Sequence, residues 1–238
     1  MVGREAPYWS GASQQKPSHE STEAASNDLP ELQGRLLDET LRLPSLGWTG
    51  AAMAQGAANC GLSPAAAGLL GDSPGDLVQA FLRHCNLQLE EALQDDPAIG
   101  GLAEKIEHGL RKRLEMILPY KGSWPGALAA LGPPRPEVAT LYMEAAEIVL
   151  KSAGQDPLDD EVGFSLRKTA LSGVLATTEL YLLTDGSPGS ERTWQALRRA
   201  VAEALRLAGM ADAAAAAVGS LRNTVAANIF QMAFTSRR

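Results

Sequence analysis

The chain has 238 residues, of which 45% are hydrophobic and 5% aromatic, and its formal net charge at pH 7 is −7. This length and apolar content suffice for a globular protein with a sizeable core, and the acidic balance argues against nucleic acid as a general partner. Cys60 and Cys85 are too few for a disulfide framework, which favours a reducing compartment, and no apolar run is long enough to span a bilayer.

Residues 1–30 are rich in Ser, Gln, Glu, Ala and Asn and show no hydrophobic periodicity, which predicts a disordered lead-in. Mitochondrial transit peptides are rich in Arg and poor in acids. This stretch sets Arg4 and Lys16 against several acidic residues, so it is not a convincing transit peptide as written.

Residues 31–95 are predicted to form a helix-turn-helix-like headpiece and a connecting helix. A leucine-rich helix ends at Pro44, and a small-residue helix of about 51–59 is followed by a turn at 60–62 and a second short helix over 63–70. A long helix then starts near Asp76 and ends near Pro97. The segment from Pro44 to Leu82 contains no Lys or Arg, so its shape suits a DNA-binding unit but its charge would repel a duplex.

The rest of the chain also has helical periodicity. Helices are predicted over 102–118 and after Trp124, with Ser123 as N-cap, and then over 138–153, 162–183, 194–207 and 211–234. No segment alternates as a strand does. The prediction is an all-α protein of roughly ten helices, with a central binding region at 96–209 and a C-terminal helix at 210–238.

The sequence offers few residues for catalysis or metal binding, so no enzyme activity and no cofactor are expected. Glu104 and His108 are one helical turn apart, but a carboxylate-bridged metal site needs a second Glu/His pair, which is missing. His84 and Cys85 are sequence neighbours and point in different directions on a helix. A solvated helix face is the simpler interpretation of Glu104 and His108, and both cysteines are expected to be small buried hydrophobic residues.

The predicted C-terminal helix is amphipathic, and Arg222 is the only charged residue between Asp212 and Arg237. One stripe is apolar, another is polar but uncharged, and basic residues follow. This pattern is typical of a helix that lies in a membrane interface, although packing against the bundle or a dimer mate would explain it equally well. The predicted membrane contacts are Leu221, Val225, Ile229, Phe230, Met232 and Phe234.

Two central blocks are more specific than any periodicity. The first runs from Arg113 to Tyr120 and continues with Trp124-Pro125, and the second runs from Ala176 to Tyr181 and continues with Asp185-x-Ser187-Pro188 and Thr193-Trp194. Together with Gly47-Trp48-Thr49 and Gly61-Leu62-Ser63, these blocks resemble the ubiquinone-biosynthesis accessory lipid-binding proteins of the coenzyme Q protein nine family. The resemblance covers roughly residues 31–210 in collinear order.

This resemblance implies a fold similar to that of TetR-family regulators, without DNA binding and usually dimeric. Members of the family bind isoprenoid quinone precursors or phospholipids and support the demethoxyubiquinone hydroxylase, a di-iron enzyme. They act at the matrix face of the mitochondrial inner membrane, which their C-terminal helix contacts. We therefore expect a non-catalytic, peripheral membrane protein that presents polyprenylated quinone intermediates to the hydroxylase.

The apolar density of three predicted helices suggests where a lipid pocket would lie, although a packed core would give the same pattern. The candidate lipid-binding residues are Met116, Ile117, Leu141, Val149, Leu171, Val174 and Leu175.

The resemblance also suggests a partner-binding surface at the start of the long helix. Family members carry Trp-Tyr ahead of a basic pair there, whereas this chain has Phe164-Ser165 ahead of Arg167-Lys168. Phe164, Arg167 and Lys168 are thus the candidate contacts to the hydroxylase. Alternatively, Phe164 packs at the helix start and the two cations form a solvated face.

Other functions remain open at this stage. A TetR-type transcriptional regulator would share the architecture and bind DNA and a hydrophobic effector, but the headpiece lacks cations. A helical scaffold without a ligand would share the apolar pattern. Lipid extraction distinguishes a lipid-binding protein from a scaffold without a ligand. A DNA mobility shift distinguishes it from a transcriptional regulator.

Overall fold

The computed structural model describes residues 19–97, 99–133 and 135–210, with side chains from residue 29 onward. The described residues are helical and include no β-strand, which confirms the all-α prediction. The helices are α1 (His19–Leu41), α2 (Gly50–Asn59), α3 (Pro74–Asp95), α4 (Leu102–Glu115), α5 (Trp124–Leu131), α6 (Pro136–Ser152), α7 (Glu161–Thr184) and α8 (residues 191–210), with 3-10 helices at Pro64–Leu69, Leu118–Tyr120 and Pro188–Ser190. The predicted membrane-contact residues, from Leu221 to Phe234, lie outside the described residues.

Helix α1 begins earlier than the sequence suggested. It starts at His19 and includes Pro30, so residues 19–30 are helical rather than part of a disordered lead-in. A proline inside a helix removes one backbone hydrogen bond and costs about 3 kcal/mol, which is why Pro30 looked like a boundary. Its fixed φ is nevertheless compatible with a helical backbone.

The headpiece is held together by close contact between α1 and α2. A Cβ added at Gly56 of α2 would overlap the Thr40 Oγ1 of α1, so only glycine permits this approach. The second short helix of the predicted helix-turn-helix is a 3-10 helix, Pro64–Leu69, rather than an α-helix. It has room for little more than two 3-10 turns, and Pro64 at its start has no N–H to donate.

Local capping explains several helix starts. The Ser73 hydroxyl accepts from the Asp76 N–H, and the Asp76 carboxylate accepts from the Ser73 N–H, which forms a capping box at the start of α3. Ser123 occupies the predicted N-cap position of α5, but its side chain makes no capping bond. Its hydroxyl instead donates to the Tyr120 carbonyl and accepts from Trp48 Nε1.

Two hydrophobic cores stabilise the bundle. One lies within the headpiece and extends to the first half of α3 and to α5, where it is rich in aromatic rings. The other lies between the second half of α3 and helices α4, α6, α7 and α8. Met116 and Tyr142 pack against both cores, so the two meet near the end of α4 and the middle of α6.

The loop between α7 and α8 is fixed by one carboxylate. Asp185 accepts hydrogen bonds from the Ser187 N–H and from both the N–H and the hydroxyl of Thr193. The Trp194 indole N–H donates to the Gly189 carbonyl across the same loop. The Asp-x-Ser-Pro and Thr-Trp pattern is therefore explained by loop structure, which orients α8 against α4.

Candidate functional site: a buried polar network between the two cores

Glu179 lies at the centre of a polar network inside the bundle. Its side chain projects from α7 and is 1% exposed, in the region where the two cores meet. Glu179 Oε1 accepts from Trp124 Nε1 of α5 at 2.7 Å, and both carboxylate oxygens accept from the Tyr142 hydroxyl of α6 at 2.9 Å. One carboxylate thus connects three consecutive helices through residues that are 55 and 37 positions away from it in the chain.

Arg113 of α4 extends the network toward α3. Its Nε donates to Asn86 Oδ1 at 3.2 Å, and Asn86 Nδ2 donates to the Leu141 carbonyl at 2.9 Å and to Glu144 Oε2 at 3.4 Å. The guanidinium is 2% exposed, and its Nη1 has no hydrogen-bond partner among the described residues. A buried cation with an unpaired N–H group destabilises the fold, so an acceptor oxygen placed beside this Nη1 would be stabilised.

Burial dominates the electrostatics of the network. Burial raises the pKa of Glu179, while the hydrogen bond from Trp124 and the charge of Arg113 act in the opposite direction. Burial and the Glu179 charge also raise the pKa of the Tyr142 hydroxyl, which keeps it a proton donor. Burial likewise raises the pKa of the nearby Cys85 thiol to about 11. These groups can hold a polar ligand atom, but they do not form an arrangement typical of acid–base or nucleophilic catalysis.

The candidate lipid-binding residues belong to the two hydrophobic cores or pack against them. Ile117, Val149, Leu171 and Leu175 are fully buried, and Leu141 is nearly so. Val149 is committed to a helix contact, because a Cβ at Gly109 of α4 would lie 2.9 Å from both of its γ-methyl groups. A lipid could reach Met116 and Val174, which are half-buried, without separating the helices. Their role in lipid binding stays a prediction.

The candidate partner residues have different environments. Phe164 is 3% exposed and packs in the core of α4, α6, α7 and α8, which favours the interpretation as a helix-start packing residue. Arg167 Nη2 lies 2.9 Å from Asp160 Oδ2, and Lys168 Nζ lies 3.1 Å from Glu147 Oε2. Both cations are partly exposed. Arg167 and Lys168 are therefore accessible at the surface, whereas Phe164 lies in the packing beneath them.

The outer face of α7 carries a feature that the sequence analysis missed. Val162, Leu166, Leu180 and Tyr181 are exposed on this helix, with Gly, Ser and Thr positions between them. The three charged residues after Glu161 do not interrupt it, because Glu179 is buried and Arg167 and Lys168 lie to the side with their acidic partners. An i, i+4 spacing of exposed apolar side chains was the available signal.

Metal binding and membrane crossing find no support in the part of the chain that the structure covers. No group of three or more His, Cys, Asp or Glu residues there is arranged to hold a metal ion. The His108 ring lies near the Asp96 carbonyl rather than facing a second carboxylate–histidine pair. None of the described helices is long and apolar enough to cross a membrane.

Comparison with known proteins decides the family. A family model described as COQ9 matches residues 136–208, which hold α6, α7 and most of α8. The ubiquinone biosynthesis protein COQ9-B, mitochondrial, of Xenopus laevis is 32% identical over 211 residues, which cover 84% of this chain and 69% of that protein. This chain belongs to the COQ9 family. The helical, TetR-like architecture of COQ9 proteins agrees with the fold described above.

Other COQ9 relatives give similar values. Ubiquinone biosynthesis protein COQ9, mitochondrial, of Xenopus tropicalis is 33% identical over 84% of this chain and 64% of its own length. The human protein of the same name is 32% identical over 74% of this chain and 58% of its own length. The chain thus spans somewhat less than two thirds of these two COQ9 proteins.

Proposed function

We propose that this chain is a non-catalytic, lipid-binding accessory protein of ubiquinone biosynthesis. It binds polyprenylated quinone intermediates at the mitochondrial inner membrane and presents them to the demethoxyubiquinone hydroxylase. The observation that carries the proposal is membership of the COQ9 family, whose curated members are named as mitochondrial ubiquinone biosynthesis proteins. The extensive apolar interior and the uncharged outer face of α7 are compatible with this function.

The physical need for such a protein follows from the hydrophobic effect. Exposing one buried CH₂ group to water costs ~0.8 kcal/mol, so exposing three isoprene units would cost more than ~10 kcal/mol. A quinone ring can leave the bilayer for a protein active site only if its tail stays covered. A helical bundle at the membrane surface, acting as a homodimer, supplies that cover.

Lipid extraction tests the binding function. The full chain is purified under mild conditions, extracted, and analysed by mass spectrometry for isoprenoid quinones and phospholipids. Met116→Gln and Val174→Thr preserve side-chain size but add polarity at the accessible candidate positions, so both should lower the retained lipid. Thr177→Val on the exposed face of α7 is the matched control. Purified wild-type protein that carries no isoprenoid or phospholipid and binds none when it is added would refute lipid binding.

Co-purification with the hydroxylase tests the partner function. Lys168→Glu places a second negative charge beside Glu147, and it should weaken capture of the enzyme. Arg199→Glu makes the same charge reversal on the exposed face of α8 and should leave capture unchanged. Equal capture by wild type and Lys168→Glu would remove this patch from the proposed interface.

A further inference from the structure

A cleft lies where the headpiece meets the rest of the bundle, and Glu179, Tyr142 and Arg113 of the buried network do not line it. It has a volume of about 350 Å³, which falls within the range of small-molecule sites. The end of α1 and the following loop form one side, and the 3-10 helix Leu118–Tyr120 forms the other. Its main lining side chains are Thr40, Leu43, Pro44, Trp48, Leu77 and Tyr120.

Aromatic rings form one wall of the cleft. The Trp48 ring contacts Phe81, Tyr120 and Trp124 edge to face, with centroids 5.4, 5.9 and 5.3 Å away. Such clusters favour addition of another ring in offset or edge-on geometry. The Trp48 indole N–H is occupied, because it donates to the Ser123 hydroxyl at 3.3 Å. Trp48 is 8% exposed, so a ligand in the cleft meets a small part of its aromatic ring rather than its polar atom.

The polar groups of the cleft favour an uncharged ligand with an acceptor oxygen. The buried Thr40 hydroxyl already donates to the Leu36 carbonyl. The Tyr120 hydroxyl makes no hydrogen bond to any described residue, and burial raises its pKa, so it stays available as a donor. No Asp or Glu is among the described lining residues, and Arg42 at the edge is paired with Glu39 at 2.8 Å.

We propose that this cleft binds the ring of a neutral quinone, packed against the exposed part of Trp48 and hydrogen-bonded through a ring carbonyl to the Tyr120 hydroxyl. This inference rests on the proposed function and adds a location for the ring. A cleft of about 350 Å³ holds a substituted ring and the start of its tail, not a long polyprenyl chain. The remaining tail must then be covered elsewhere on the protein or by the membrane.

Equilibrium dialysis with a short quinone tests the ring site. The probe is a dimethoxy-benzoquinone with one isoprene unit, titrated against the full chain and quantified by absorbance. Tyr120→Phe removes only the donor and should weaken binding by roughly two- to tenfold, the range for one neutral hydrogen bond. Tyr181→Phe makes the same change on the exposed face of α7 and should bind as wild type does. Unchanged binding by Tyr120→Phe would overturn the assigned hydrogen bond.

A second variant fills the cleft. Leu43 lines it, whereas Leu46 lies one turn further on and does not. Leu43→Trp should weaken quinone binding more than tenfold, and Leu46→Trp should not, with thermal melting used to verify that both fold. If Leu43→Trp is unfolded, Tyr120→Phe still tests the site. Equal binding by folded Leu43→Trp and wild type would overturn the proposal.

Two further outcomes separate this inference from the proposed function. A straight-chain alcohol of similar size that competes as well as the quinone would show an unselective apolar cleft and overturn the ring assignment. Suppose that the Leu43→Trp variant folds, retains isoprenoid lipid and binds the short quinone as wild type does. That result would refute the cleft as the quinone-ring site and leave the lipid-binding function intact. Wild-type protein that carries no lipid and binds no isoprenoid would refute the proposed function itself.

Discussion

Replacing Glu179 tests how the buried network contributes to stability. Glu179→Ala leaves Trp124 Nε1 and the Tyr142 hydroxyl without their acceptor, at about 1–3 kcal/mol for each buried group. The substitution also deprives Arg113 of a nearby negative charge, although no salt bridge joins these two described side chains. The two lost hydrogen bonds are the main cost, so we expect a total loss of about 3–5 kcal/mol. For a chain of this size, that lowers the melting temperature by roughly 6–20 °C.

Glu179→Gln separates the hydrogen bonds from the charge. Glutamine keeps the shape and one acceptor oxygen, so at pH 7 it should cost less than half as much as alanine. Burial raises the pKa of Glu179 above its ordinary value of about 4.3. The stability that this group contributes is therefore full below about pH 4.3 and is lost as the pH rises through the folded-state pKa. The advantage of wild type over Glu179→Gln should shrink as the pH increases.

Urea denaturation at several pH values between 5 and 8 measures these differences. Glu90→Ala and Glu90→Gln are controls, because Glu90 is exposed on α3 and should tolerate both changes. Two results would refute the reasoning about Glu179. One is a glutamine variant as unstable as the alanine variant at pH 7. The other is a wild-type advantage that grows with pH, which would mean that Arg113 and the donors outweigh burial.

Three further predictions address other parts of the bundle. Gly109→Ala should destabilise the protein by about 1–3 kcal/mol through overpacking against Val149, measurable by urea denaturation, whereas Gly173→Ala has open space and should not; equal effects would contradict this contact. Hydrogen bonds from Thr193 and Ser187 hold the pKa of Asp185 well below its usual range, so Asp185→Asn should lower the melting temperature at pH 7. That difference should shrink as the pH falls below about 4, and a constant difference would exclude the charge as its cause. Iodoacetamide should label Cys60 but not Cys85 in the native protein, because Cys85 is buried with a thiol pKa of about 11; mass spectrometry showing equal labelling would contradict that burial.

Most helix positions could be predicted from apolar spacing, since long amphipathic helices repeat the same physical requirement every turn. The predicted helix boundaries and helix types were wrong where one residue type is compatible with two structures. Pro30 is compatible with both a helix start and a helix interior, and Pro64 with both an α-helix and a 3-10 helix. The sequence predicts that the hydroxyl of Ser123 caps α5. In the structure this hydroxyl instead forms hydrogen bonds with Trp48 and Tyr120.

The buried network could not be derived from sequence spacing. Trp124 and Tyr142 reach Glu179 from 55 and 37 residues away in the chain, and no periodicity encodes such a meeting. Arg113, Trp124 and Glu179 were visible only as members of the blocks that carry the family resemblance. Their structural role became clear once five helices brought them together. The same limit applies to Phe164, since a large apolar residue at a helix start suits either packing or a surface contact.

The segment from Pro44 to Leu82 is rich in small residues for a structural reason. Gly56 and the fully buried Ala52 and Ala57 allow α2 to approach α1 closely, and larger side chains would separate the two helices. That approach helps to position Trp48, which follows α1 and precedes α2, against Tyr120 and Trp124. A DNA-binding headpiece must turn cations outward, whereas this one turns an aromatic residue inward toward the bundle. The small residues of α2 thus help to form the aromatic wall of the cleft.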